Sequence, residues 1–123
     1  MNDKNSELLR KEFPELFRNR PYFGFACGDG WFTIIYKLCA AIDSKALAAG
    51  LSRDSDQWPE VAQVKEKFGA LRFYFHTALD YQLFAGAVRE AESESARTCE
   101  MCGNPGRLVG KPYQITLCAD CEK

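Results

Sequence analysis

Four of the six cysteines form two Cys-x-x-Cys pairs, Cys99-Glu100-Met101-Cys102 and Cys118-Ala119-Asp120-Cys121, with fifteen residues between them. Each pair makes a tight turn that lets two thiolates converge on one point. Two such turns supply four soft ligands at tetrahedral corners, the arrangement zinc takes with Zn–S distances of about 2.3 Å. In a cytosolic chain such pairs read as a metal site rather than a disulfide framework. Gly103 follows the first pair and can take the positive φ that the knuckle needs. No βαβ pattern surrounds either pair to suggest a thioredoxin-like site. The spacing predicts one zinc ion on Cys99, Cys102, Cys118 and Cys121. With every position filled by protein the ion is structural, because a catalytic zinc keeps one position open. His76, the only histidine, is not near enough in sequence to suggest otherwise. Between the knuckles, 107–109 and 113–117 are expected to pair as two strands, with Gly110-Lys111-Pro112 as their turn. Residues 98–123 therefore read as a zinc ribbon.

The remaining 1–97 read as an α+β core of helices packed on a β-hairpin. A chain of 123 residues that is 46% hydrophobic can bury such a core. Its 16 basic and 17 acidic residues nearly cancel, which argues against a purely electrostatic nucleic-acid binder but leaves room for a local basic face. The first five residues carry no apolar signal region, and no apolar run approaches the length of a membrane helix. A cytoplasmic protein of a bacterial or infected bacterial cell is expected.

Three helices are expected, at about 6–17, 29–49 and 80–96. Ser6 caps the first, Leu8, Leu9, Phe13, Leu16 and Phe17 form its apolar face, and Pro14 divides it. Residues 18–21 break the chain, and 22–27 are ambiguous between strand and loop. The second helix starts near Asp29 and buries Trp31, Ile34, Ile35, Leu38 and Ile42. It runs on, or re-caps at Asp43 or Ser44, to a stop at Gly50. Asp80 caps the third, with Leu83, Phe84, Ala87, Val88 and Ala91 inward. The polar turns 90–97 can project the metal module away from the core.

Residues 61–76 read as a hairpin turning at Gly69-Ala70, which sets Phe68 opposite Leu71, Lys67 opposite Arg72 and Glu66 opposite Phe73. Val64, Glu66, Phe68, Leu71, Phe73 and Phe75 then share one face. Gln63, Lys65, Lys67, Arg72, Tyr74 and His76 share the other. Gly-Ala is not an ideal tight-turn pair, so a longer loop stays open.

Lys65, Lys67, Arg72, Tyr74 and His76 interleave positive charge with aromatic rings, a pattern that holds bases and single strands. The same residues also make an ordinary solvated face. Glu66, on the apolar face, needs a partner such as Arg20, or else carries a raised pKa. No second carboxylate can be placed beside it. Asp29 is a helix N-cap or an acid at a turn that receives an anion. Cys39 reads as a buried free thiol, and Cys27 has no neighbouring base to activate it. Nothing in the sequence requires an enzyme.

The strings Phe23-Gly24-Phe25, Cys27-Gly28-Asp29-Gly30-Trp31, 63–69 with Leu71-Arg72-Phe73-Tyr74, and the first cysteine knuckle with Gly103-Asn104-Pro105-Gly106 resemble a family of small uncharacterised proteins of bacteria, phages and prophages. The resemblance covers most of 20–123. In that family the hairpin turn is more often Gly-Gly, and an acidic residue often stands in the place of Ala26. The resemblance implies a phage or mobile-element setting, in which small zinc proteins bind host machinery, nucleic acid or immune signals.

The leading expectation is a zinc-binding interaction or regulatory protein that engages a macromolecule, host protein or nucleic acid, without catalysis. One alternative is a phage anti-defence protein that sequesters a nucleotide-like immune signal, stacking a base on Tyr22, Trp31 or Tyr74 and holding phosphates with Lys65, Lys67 and Arg72. The other is a small nuclease-type enzyme that uses Asp29 or Glu66.

Overall fold

The computed structural model describes residues 1–18 and 24–123. Tyr22 and Arg20, named above as a stacking group and as a partner for Glu66, lie outside the described residues.

The first helix, α1, spans Asp3–Glu12, three residues earlier than expected. Its cap is Asn2, whose side chain accepts from the Asn5 amide at 2.8 Å. Ser6 lies inside the helix and donates to the Asn2 carbonyl. The helix stops before Phe13 because a residue preceding proline is forced out of the α region. Residues 14–17 continue as a turn, and its Leu16 carbonyl accepts from the Val61 amide at 2.8 Å. Leu9, Phe13, Leu16 and Phe17 are buried as expected, whereas Leu8 is exposed.

A two-residue strand, β1 (Phe25–Ala26), resolves the ambiguity at the end of 22–27. A 3₁₀ turn, Asp29–Trp31, feeds α2, Phe32–Ala48, which runs unbroken past Asp43 and Ser44. Ile34, Ile35, Leu38, Ile42 and Ala46 are buried at helical spacing, each large one worth about 1.5–3 kcal/mol. Gly50, at φ +96, ends the helix, with the Gly50 and Leu51 amides donating to the Leu47 and Ala46 carbonyls. The third helix, α3, is Gln82–Ser95, and the Asp80 carboxylate accepts from the Gln82 amide at its start. Phe84, Ala85, Val88 and Ala91 face inward, and Leu83 faces out.

The hairpin is β2 (Glu60–Lys67) and β3 (Ala70–His76), in a sheet ordered β1-β2-β3 with β1 parallel to β2. Its register differs from the expected one. Lys67 pairs with Ala70, Glu66 with Leu71, Lys65 with Arg72, Val64 with Phe73 and Gln63 with Tyr74. Over this stretch each β2 residue meets a partner two positions earlier than expected. A shift of two keeps each paired side chain on its face, so all but Phe68 sort onto the expected faces. The cause is the turn, which is Phe68-Gly69 rather than Gly69-Ala70. Both residues have positive φ, 54° and 80°, as a type I′ turn demands. Phe68 therefore leaves the apolar face and stands at the tip, 69% exposed. Holding a bulky residue in that conformation costs about 1–2 kcal/mol. A bulge between Val61 and Gln63 brings Val61 back to the buried face.

The outer edge of β3 is covered at Leu71, whose amide donates to the buried Ser95 hydroxyl at 2.9 Å. The C-terminal module contains β4 (Arg107–Val109) paired with β5 (Ile115–Leu117), followed by a one-turn helix, α4 (Ala119–Glu122). Strand β5 is shorter than the expected 113–117. The module does not project away on 90–97. Its first knuckle rests on the Gly28–Gly30 turn, and β5 reaches the hairpin tip. The result is an α+β fold closed by a four-cysteine cluster of the kind found in small zinc-binding motifs. No helix of the described residues is long and apolar enough to cross a membrane.

Candidate functional site

The four cysteines converge. The Sγ atoms of Cys99, Cys102, Cys118 and Cys121 all lie within 4.8 Å of one another, and Cys102 and Cys118 approach to 3.6 Å. Tetrahedral sulfurs at about 2.3 Å from an ion would stand about 3.8 Å apart, so the donor set fits a metal of this class. Cys99 and Cys118 are buried, while Cys102 faces solvent.

The local chain builds this geometry. Gly103 has φ +85, and its amide donates to the Cys99 carbonyl at 2.9 Å, closing the first knuckle. The Cys121 amide points at the Cys118 sulfur, at 3.4 Å. Burial pushes the Cys99 thiol up, but amides of Cys118, Cys102 and Met101 outweigh it and bring it down to about 6. Its three neighbouring sulfurs push Cys121 up to about 12. Thiolates held this close repel one another, and a divalent cation removes that conflict.

The knuckle is seated on the core through three joints. The Gly30 amide donates to the Glu100 carbonyl at 2.8 Å. The Gly28 amide donates to Glu100 Oε2 at 2.9 Å. The Trp31 indole donates to the Thr98 carbonyl at 2.9 Å. A Cβ on Gly28 would stand 2.3 Å from the Glu100 carbonyl oxygen, so this glycine serves close approach, not a left-handed turn. On the far side, Thr116 Oγ1 donates to the Gly69 carbonyl at 2.6 Å, and Leu108 packs against Gly69. The ribbon thus touches both the Gly28–Gly30 turn and the hairpin tip.

These contacts change the reading of the secondary candidates. Trp31 is fully buried and its N–H is engaged, so it presents no face to a base. Asp29 does not cap its own helix. Its oxygens accept from the Asn2 amide, the Asn2 side chain and the Asn5 side chain, tying α1 to the turn. The Asn2 amide is the largest of the influences that lower its carboxyl. Glu66 accepts from the Gly69 amide at 2.8 Å within its own turn. A carboxylate does stand within its electrostatic reach. Burial raises the Glu100 carboxyl, the Gly28 amide opposes that, and Glu66 adds to the rise. No local pattern signals this pair, because Glu100 arrives from the ribbon.

The five polar-face residues are placed unequally. Lys65 Nζ lies 6.0 Å from the Tyr74 ring centroid and Lys67 Nζ 5.6 Å from that of Phe68. Among the described residues neither lysine has a carboxylate at ion-pair distance. Arg72 is within 3.7 Å of Glu92 on α3. His76 sits at the open end opposite Glu60, in a cleft of about 300 Å³ shared with Arg18. Arg18 is committed there, donating to the Trp58 and Pro59 carbonyls and pairing with Glu60. Cys27 and Cys39 are buried. Set against protein-family models, curated proteins and solved structures, the chain matches none.

Proposed function

We propose that this chain is a zinc-stapled interaction protein, of phage or prophage setting, that binds a macromolecular partner through its hairpin without catalysis. The observation that carries the reading is the closed four-cysteine cluster, whose ribbon is keyed into the core through its first knuckle and into the hairpin tip through β5. A zinc ion with four protein ligands has no position for substrate, so its work there is to hold the fold. The engagement of Asp29 by Asn2 and Asn5, and of Glu66 by Gly69, supports binding over a nuclease-type role. The burial of Trp31 weighs against a base-stacking pocket for a nucleotide-like immune signal. The phage setting rests on the resemblance of the Gly28–Trp31 turn, the hairpin and the first knuckle.

Elemental analysis tests the metal. One zinc per chain is expected, lost together with folding when the thiols are modified. A purified protein without stoichiometric zinc, or with disulfides among these four residues, removes the basis of the reading. A Lys67→Glu, Arg72→Glu double variant tests the binding. It is expected to fold, keep its zinc and lose the partner that the wild type captures. Retention of that partner would make the hairpin face a bystander.

A further inference from the structure

We infer that the hairpin carries a track for single-stranded nucleic acid made of two successive lysine–aromatic pairs, Lys65 with Tyr74 and Lys67 with Phe68. The inference rests on the proposed binding role and names the class of its partner.

Three observations converge on it. First, each pair joins an exposed ring to a lysine with no carboxylate at ion-pair distance among the described residues. Tyr74 is 44% and Phe68 69% exposed, so both rings have surface free for stacking. Second, the pairs follow one another along a rigid two-stranded element. Tyr74 lies opposite Gln63, Lys65 two residues on, and Lys67 with Phe68 at the tip. At about 3.3 Å per residue, the rings are spaced on the order of 15 Å apart with both cations between them. Third, Phe68 stands where its backbone is unfavourable. A type I′ turn favours Asn-Gly, and this chain places phenylalanine at φ +54 instead. A strained, solvent-facing aromatic that gives little to the core points to a role outside the fold.

The chemistry selects the partner. An acidic protein surface rewards the lysines but gives the two rings no stacking partner. A duplex offers phosphates but keeps its base faces stacked on each other. An unpaired strand satisfies both, with bases on the rings and phosphates beside the ammonium groups. Only two or three cations take part, in a chain of net charge −1. Binding therefore leans on stacking, and its salt dependence is shallow. For two phosphates the slope of log K against log salt is about −1.4.

The test uses the zinc-loaded full chain and fluorescence anisotropy with homopyrimidine single strands, DNA and RNA, against a duplex of equal length. Single strands are expected to bind well above the duplex. Tyr74→Ala and Phe68→Asn are each expected to weaken binding about five- to one-hundred-fold. Phe68→Asn also relieves the turn, so its melting temperature should rise by several degrees while its affinity falls. That opposition separates a functional ring from a folding defect. Single strands that bind no better than duplex, or a Phe68→Asn variant that binds like wild type, overturn the inference. If single strands fail while Lys67→Glu, Arg72→Glu still loses a captured protein, the track falls and the interaction module stands.

Discussion

A Cβ on Gly30 would lie 2.1 Å from the Cys99 carbonyl oxygen and 2.6 Å from the Gly103 amide nitrogen. Both atoms belong to the backbone of the first cysteine knuckle and cannot swing aside. Gly30→Ala should therefore lift the knuckle off its seat at a cost of about 1–3 kcal/mol or more. The loss should appear as a lower urea midpoint and as faster surrender of metal to a chelator. Gly86, inside α3, has nothing within 4 Å of its would-be Cβ. Gly86→Ala should stabilise by about 0.5–1 kcal/mol, because it removes a glycine from a helix interior. The same added methyl thus acts with opposite sign at two sites. A Gly30→Ala midpoint that holds or rises would refute this account of the Gly28–Gly30 turn.

What the sequence made legible depended on how local the physics was. The Cys-x-x-Cys pairs, the Gly50 stop and the face parity of the hairpin are set by neighbours a few residues apart, and each was readable. The hairpin register was not, because Phe68 occupies a turn position that propensity assigns to asparagine or glycine. The Gly28 and Gly30 requirement arises from Glu100 and Cys99, far along the chain, so nothing local to the turn signals it. Asp29 misled for a related cause, since its partners Asn2 and Asn5 belong to another helix and its cap. Ser6 lost its cap role to Asn2, which offers the same chemistry nearer the N-terminus.

Thr116 tests the other joint. It is fully buried, and its hydroxyl donates to the Gly69 carbonyl at 2.6 Å. Thr116→Val keeps the shape and removes the donor, leaving a buried carbonyl without its partner. The expected loss is about 1–3 kcal/mol. Hydrogen exchange should locate it. Amides of 67–70 should exchange faster, while those of α2 should hold their protection. Equal acceleration throughout would show that Thr116 supports the whole fold and not this joint.

Burial pushes the Cys27 thiol up to about 12, and nearby Glu100 adds to the rise. Burial likewise drives Cys39 well above its usual value, with Asp43 contributing. Thiol chemistry runs through the thiolate, so both should be inert in the native protein. With iodoacetamide at about pH 8, near the ordinary cysteine pKa, mass spectrometry should find neither alkylated until denaturant is added. Native labelling of Cys27 at the rate of a free thiol would mean that the segment after β1 opens readily.

Asp43 supplies a pH signature. Its side chain is buried on α2, with Arg53 Nη1 2.7 Å from Oδ2 and the Trp58 indole beside it. Burial raises the carboxyl, and the Arg53 contact only partly offsets it. An unfolded aspartate titrates near about 3.9. The folded state therefore holds this proton more tightly than the unfolded chain does. Its stabilising contribution is complete below that unfolded value and is lost as pH rises through the raised one. Asp43→Asn keeps the shape without the titration, so it serves as the reference. Stability of the wild type relative to Asp43→Asn should be greatest in acid and decline as pH rises, then level off toward neutrality. Urea midpoints of the two proteins across the acid range measure the gap. Asp43→Ala should lose about 0.5–1.5 kcal/mol at neutral pH, because the half-exposed Arg53 guanidinium loses the nearer of its two carboxylates, Glu15 remaining at 3.7 Å, and the buried Trp58 N–H loses the carboxylate beside it. A gap that stays flat, or widens in the wild type's favour toward neutral pH, would mean that the Arg53 ion pair outweighs burial at this site.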